Sequence, residues 1–254
     1  MTDTRRVALV TGSSSGIGAE VAKALAGAGY NIVVNYSRSA EAANITVAAC
    51  NAAGSDTLLV QCDVSDEAGV QAMVAEVESR FGRLDVVCNN AGTSIETLAK
   101  DFDQVSVEEW DRVMAVNVRG LFLVAKHTKA LLMNGVDPCM VNTASIVGLR
   151  PGAQPLPYLA SKAAVVAMTQ ALCLALGPKV RVNAVAPGWM EGEWMERMLG
   201  ENYGKLMNRR AKMTPLARCV TDKDVAEAVL TLVEHMNFVT GETIVIDGGF
   251  ARTT

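Results

Sequence analysis

The sequence is poor in metal ligands and in organised cysteine. It has two histidines, and its six cysteines (Cys50, Cys62, Cys88, Cys139, Cys173 and Cys219) are scattered with no C-x-x-C pair. This excludes a zinc module and a disulfide framework, and no metal is expected. The thiols read as buried side chains in a reducing compartment. Positive charge is not in excess: 23 Lys and Arg stand against 27 Asp and Glu, a net charge of -4. There is thus no global electrostatic footprint for nucleic acid or an anionic membrane. The opening MTDTRRVALVTG holds only a short apolar run before Thr11, too short for a signal peptide. No uninterrupted apolar stretch reaches membrane-spanning length. The expectation is a soluble cytoplasmic protein whose partners are small molecules.

What is present is a hydrophobic half of the sequence, which argues against disorder. Short apolar runs at 7–10, 32–34, 58–60, 84–88, 140–141, 180–185 and 243–246 mostly lack in/out alternation and read as strands buried on both faces. Helical patterns lie between them near 17–28, 40–53, 66–81, 108–133, 158–176 and 222–236. This order predicts a doubly wound α/β domain of Rossmann type, a parallel sheet of about seven strands with helices on both faces. No linker or repeat divides the chain, so residues 1–254 form one domain. The helix at 158–176 is apolar nearly all round and needs cover beyond its sheet side, from a second helix or a symmetric partner.

Tyr158 and Lys162 stand four apart, on one helix face, with Ser145 thirteen residues before the tyrosine. A cation about 5 Å from a phenol favours the phenolate by roughly 3 kcal/mol at an effective dielectric of about 20, or about two pKa units. That would bring the phenol into the range of acid–base catalysis. The turn after the first strand reads Thr11-Gly12-Ser13-Ser14-Ser15-Gly16-Ile17-Gly18 and leads into a helix. Backbone N–H groups at such a turn form an anion site, and glycines admit a pyrophosphate. A plain strand-to-helix connection is the alternative, and the βαβ setting favours a dinucleotide. The second strand runs into Asn35-Tyr36-Ser37-Arg38-Ser39 with no acid at its end, so NADP(H) is favoured over NAD(H), with Arg38 as the 2′-phosphate partner.

In this order TGSSSGIG (11–18), CDV (62–64), NNAG (89–92), VNVRG (116–120), NTAS (ending at Ser145), YLASK (158–162), RVNAVAPG (181–188) and DGG (247–249) resemble the short-chain dehydrogenases/reductases. The likeness extends to 3-oxoacyl-acyl-carrier-protein reductases and related NADP-dependent carbonyl reductases. The resemblance implies that Asp63 and Val64 border the adenine, and that Asn90, Ala91 and Gly92 lie along the cofactor ribose. Pro187, Gly188 and Met190 would follow the nicotinamide end. It implies that Asn117 holds a water in a proton relay behind Lys162, that Ser145 binds the substrate oxygen, and that Tyr158 donates its proton in reduction. Lys162 would lower the phenol pKa and hold the nicotinamide ribose. The implied function is a homotetrameric NADP(H)-dependent oxidoreductase interconverting a ketone and a secondary alcohol. A 3-oxoacyl thioester reductase, a sugar or polyol dehydrogenase and a non-catalytic NADP(H) sensor are the alternatives.

The chain departs from the pattern at Gly192, where the family often has a threonine on the nicotinamide carboxamide, and at Pro155-Leu156-Pro157 before the tyrosine. Residues 189–213, rich in methionine and tryptophan, fit a lid over the substrate or ordinary packing. Arg209, Arg210, Lys212 and Arg218 read as a solvated helix face rather than a clamp for an anionic substrate.

Overall fold

In the computed structural model, which describes residues 5–253, the seven strands form one parallel sheet. They are β1 (Val7–Val10), β2 (Asn31–Tyr36), β3 (Thr57–Gln61), β4 (Val86–Asn89), β5 (Cys139–Thr143), β6 (Arg181–Pro187) and β7 (Thr243–Ile246), in the order β3-β2-β1-β4-β5-β6-β7. The order reverses between β1 and β4, and in such sheets ligands bind in the crevice beyond the strand C-termini at that point. Register carries the exits of β1, β2 and β4 to one level, with Val10 beside both Val34 and Cys88.

Alternate residues of each central strand feed opposite cores. Ala8, Val10, Ile32 and Val34 pack with Leu25 of α1 (Gly16–Gly27) and with Val225, Val229 and Leu232 of a late helix at Asp222–Glu234. Val7, Leu9, Val33 and Val87 pack on the other side with Met73 and Val77 of α3 (Glu67–Phe81), which follows α2 (Ala40–Ala52) in the chain. The edge strands do not match the reading of strands buried on both faces. Three of five β3 residues are half-buried, and Val245 of β7 is exposed, because an edge has a neighbour on one side only.

The pattern at 108–133 is not one regular helix. It is α4 (Val107–Met114), a π-helical turn (Ala115–Arg119) and α5 (Gly120–Met133). Ser106 and Glu109 form a reciprocal capping box at its start. Gly120 follows the π turn at a tight contact, since a Cβ there would come within 2.7 Å of Val64 Cγ2. Next come the short α6 (Ile146–Leu149) and α7 (Leu156–Leu176), which begins two residues before Tyr158 with Pro157 in its first turn. The segment at 189–213 contains α8 (Glu193–Leu199) and α9 (Tyr203–Met213), and α10 is Asp222–Glu234. By length and composition α7 could cross a membrane. Here it lies against β6 and α6, with Ser161, Lys162 and Thr169 buried inside the fold.

Candidate active site

The glycine-rich turn needs its glycines for two different reasons. Gly12 and Gly16 have positive φ, +62° and +57°, which side-chain-bearing residues rarely adopt. Gly18 instead faces a contact that no Cβ could share, 2.4 Å from the Gly12 carbonyl oxygen and 2.5 Å from Asn90 Nδ2. Ser15, at the N-cap of α1, makes no side-chain cap, and the first turn has no acid. The leading N–H groups of a three-turn helix are therefore left without a side-chain acceptor, which fits an anionic diphosphate.

Two asparagines hold this turn from below. Asn90 donates through Nδ2 to the carbonyls of Thr11 and Gly12 (3.1 and 3.2 Å), and the N–H groups of Asn90 and Ala91 both bond the Thr11 hydroxyl. Asn35 Oδ1 accepts from Gly12 N–H at 3.1 Å, while its Nδ2 donates to the Cys62 carbonyl at 3.0 Å. Asn35 is 1% exposed. The reading of Asn35 as a cofactor contact is therefore corrected: its side chain is consumed in joining the ends of β1, β2 and β3. Tyr36, half-buried, and the exposed Ser37, Arg38 and Ser39 form the surface beyond it. Arg38 has no ion pair among the described residues. Asp63, exposed at the end of β3, accepts from the backbone and hydroxyl of Ser65, and Val64 is buried against Gly120.

Ser145, Tyr158 and Lys162 meet at the exits of β5 and β6. Ser145, extended at the N-cap of α6, lies 3.5 Å from the Pro187 carbonyl. The Tyr158 hydroxyl lies beside the Ser145 side chain, and the Lys162 ammonium is 5.6 Å from the centre of the Tyr158 ring. Lys162 Nζ donates to the Thr143 carbonyl at 2.6 Å. A Cβ on Gly148 would come 2.6 Å from the Lys162 carbonyl, so this glycine lets α6 lie flat on α7 and sets Ser145 opposite Tyr158. Burial pushes the phenol up to about 12, opposed by the Ser145 hydrogen bond, and pushes the Lys162 ammonium down to about 8. Both groups lie in a desolvated interior where each charged form is disfavoured, and this acts against the lowering of the phenol that the Tyr–Lys spacing alone leads one to expect.

Asn117 sits in the π-helical turn, a distortion frequent at functional sites. Its Oδ1 accepts from Thr93 N–H (2.8 Å), and its Nδ2 donates to the Thr93 carbonyl and the Ser161 hydroxyl (both 2.9 Å). Its side chain thus braces α7 one residue from Lys162. A small cavity is bordered by Asn89, Asn117, Thr143 and Lys162, and Asn89 Oδ1, also buried, has no protein partner. Gly92 lies beside this group, a Cβ there falling 3.8 Å from Lys162 Nζ.

The segment after β6 runs beside these residues. Gly188 N–H bonds the Ile246 carbonyl, and Met190 pairs with Val220, which ties the start of the 189–213 segment to the approach to α10. Gly192, in place of threonine, has φ +127° and donates its N–H to the Tyr203 hydroxyl. Trp194 faces the Tyr158 ring at 6.4 Å. Of the basic cluster expected to be solvated, Arg218 pairs with Asp224 at 2.6 Å, and Arg210 lies half-buried on the ring of Trp189. Folding back of α9 brings that arginine to an aromatic surface no local pattern predicts. The roles of Ser161, Thr143, Gly148 and Arg210 were not read from the sequence. The first two lie inside YLASK and NTAS, which were the available signals. Among the described residues no group of three or more His, Cys, Asp or Glu could hold a metal ion.

A parallel sheet with a glycine-rich turn at its switch point and a Ser–Tyr–Lys set facing it defines a dinucleotide-dependent oxidoreductase. Residues 12–251 match the family model described as Enoyl-(Acyl carrier protein) reductase. The chain is 40% identical to ketoacyl reductase 2 of the granaticin polyketide synthase of Streptomyces violaceoruber, over 96% of this chain and 95% of the relative. It is 35% identical to the 3-oxoacyl-[acyl-carrier-protein] reductase FabG of Staphylococcus aureus, over 95% and 96%. A crystal structure of a short-chain dehydrogenase/reductase from Burkholderia xenovorans superposes with a TM-score of 0.91 at 32% identity, covering 98% of this chain and 99% of that one. The chain belongs to the short-chain dehydrogenase/reductase family and is an oxidoreductase acting on ketone and secondary alcohol groups.

Proposed function

We propose that this chain is an NADPH-dependent ketone reductase in which Ser145, Tyr158 and Lys162 carry the proton chemistry. The observation that carries the reading is the Ser145 side chain set beside the Tyr158 hydroxyl, close enough to lower its pKa, with the Lys162 ammonium beside the same ring. Two hydroxyls converging on one point suit a carbonyl oxygen, which accepts from both. A bound nicotinamide supplies the hydride. Ser145 orients the carbonyl, Tyr158 gives its proton to the oxygen as negative charge grows there, and the Lys162 ammonium offsets the charge left on the phenol. Asn117 and Ser161 fix the helix that presents both groups. Asn89, Asn117 and Thr143 line a polar cavity beside Lys162, through which water supplies a proton to Lys162 as its ammonium gives one up to restore the Tyr158 phenol. Retention of this set argues against a non-catalytic sensor. A panel of ketones and their alcohols, followed by nicotinamide absorbance with both cofactors, tests the reading. Binding of NADPH without turnover of any member would favour the sensor.

Ketoacyl compounds are the favoured substrates by likeness to the granaticin and Staphylococcus reductases. Sugar or polyol oxidation is the alternative that the panel separates. Cofactor choice falls to Arg38, exposed and without an ion pair among the described residues, at the exit of β2. A charge-assisted hydrogen bond contributes roughly 1.5–3 kcal/mol. NADPH should therefore bind about ten- to several-hundred-fold more tightly than NADH, and Arg38→Ala should remove most of that gap with NADH affinity nearly unchanged. Calorimetry checks it, and an undiminished NADPH preference in the variant would place the phosphate elsewhere.

The assembly we propose is a cytoplasmic homotetramer. Large apolar side chains left exposed in the single chain support it: Phe122 on α5, Leu174 on α7, Val245 on the edge strand β7, and Phe238 before it. Covering side chains on two different parts of the surface by symmetric contacts takes two kinds of two-fold axis, which is dihedral symmetry. Six free thiols suit a reducing compartment. A sedimentation mass near that of one chain at micromolar concentration would refute the tetramer.

A further inference from the structure

Arg210 differs from the other anchored arginines of the chain in having no oxygen to hold. Arg6 is paired with Glu234 at 2.6 Å, Arg83 with Asp85 at 2.5 Å, and Arg181 donates to the carbonyls of Leu232, Val233 and Met236. The guanidinium of Arg210 instead lies 4.4 Å over the centre of the Trp189 ring and 5.5 Å from that of Phe250. Its Nε–H is buried with no acceptor, and no carboxylate is within ion-pair distance among the described residues. Burial and the adjacent Arg209 both act against its charge. Stacking on two rings offsets part of that cost but satisfies none of the in-plane N–H donors.

The position of the stack gives this half-buried guanidinium, with its unpaired Nε–H, a direction. Phe250 belongs to a buried apolar cluster with Ile146, Val147 and Leu159, and Trp189, Met213 and Tyr158 pack against the same cluster. Arg210 and the reacting phenol therefore sit against one apolar wall, and the ring of Trp194 stands over the Tyr158 side of it. A molecule lying along this wall with its carbonyl at Ser145 and Tyr158 would have an apolar body and bring its far end towards Arg210. The planar donors of a guanidinium fit a carboxylate or phosphate and are matched poorly by a neutral ester or amide.

We infer that Arg210 is a substrate-recognition residue and that the physiological substrate is an oxo compound with an anionic group at a fixed distance from its carbonyl. The inference rests on the reading of Ser145 and Tyr158 as the reacting site. It is separable from that reading in experiment, because anion binding can be measured without turnover.

The test uses straight-chain oxo acids of graded length, their methyl esters, and phosphate monoesters of matched hydroxyketones. They are offered with NADPH to the wild type, to Arg210→Met, which keeps the length and stacking surface without charge, and to Arg210→Lys, which keeps charge without the planar fork. One chain length of acid or phosphate should exceed its neutral counterpart by about ten- to a hundred-fold in kcat/KM, chiefly through KM. Which of the two anions leads identifies the group. Arg210→Met should abolish that preference with NADPH affinity unchanged, and Arg210→Lys should keep part of it. Calorimetry of the matching saturated carboxylates and alkyl phosphates with the NADPH complex gives the second readout. Binding that is lost in Arg210→Met supports the inference even if no carbonyl turns over, an outcome that would sink the reductase reading alone. Wild-type enzyme treating acids, phosphates and neutral counterparts alike at every length would overturn the inference. So would a Met variant that slows all of them equally, the mark of a purely structural clasp, or anion binding that is independent of Arg210. The wild-type comparison needs no variant and holds should Arg210→Met fail to fold.

Discussion

Tyr158→Phe should lower turnover about 10²- to 10⁴-fold, the range of a positioned general acid, while NADPH affinity stays within about two-fold. The substitution keeps the ring that packs beside Leu159 and faces Trp194, and it removes only the hydroxyl beside Ser145. A phenol pushed up to about 12 by burial is fully protonated at neutral pH, which suits donation to a carbonyl oxygen. The ammonium that would stabilise the resulting phenolate is the more fragile member, since burial brings Lys162 down to about 8. Lys162 is charged below that pH and neutral above it. The reduction rate should therefore be level through neutrality and fall as pH rises through about 8. Steady-state rates of wild type and variant across pH check both statements. A Phe variant with more than a tenth of the wild-type rate would end the proposed role of the hydroxyl.

The parts of this molecule that were legible in sequence are those set by contacts within one segment. Each central strand is a short apolar run ended by a glycine or a polar turn, so VALV before Thr11-Gly12 places both β1 and the phosphate turn. Tyr158 and Lys162 were readable because one helical turn brings them together whatever surrounds them. The π-helical turn at Ala115–Arg119 was not, since it depends on the close approach of Gly120 to Val64 and on bonds from Asn117 to Thr93 and Ser161. Local spacing gave the geometry of the Tyr–Lys pair but not its electrostatics. The sign of the phenol shift turned on how much protein covers both groups. Arg210 is the same case on the surface of α9: an exposed-looking basic residue acquires a meaning only when Trp189 and Phe250, distant in sequence, lie beneath it.

Asn35→Asp is expected to destabilise the fold by about 3 kcal/mol at neutral pH, an uncompensated buried charge being the cause, and to weaken NADPH and NADH together. At the sequence level a carboxylate at this position would merely repel a 2′-phosphate and turn preference towards NADH. The structure gives a different expectation, because the side chain is buried and both of its polar atoms are engaged. One oxygen of the new carboxylate could still accept from Gly12 N–H. The other would replace a donor that now lies 3.0 Å from the Cys62 carbonyl, setting two acceptors against each other in a dry site. Burial raises the folded-state pKa of such a carboxyl above its unfolded value of about 3.9. Its deficit relative to wild type should then be small below that pH, grow as pH rises towards the folded-state value, and stay constant beyond it. Urea unfolding of both proteins across that range measures the difference directly. The loss of affinity for both cofactors follows from the same bonds, since the Gly12 turn they hold is the proposed diphosphate cradle. A pH-independent stability difference, accompanied by a swing towards NADH, would show that position 35 faces the ribose after all.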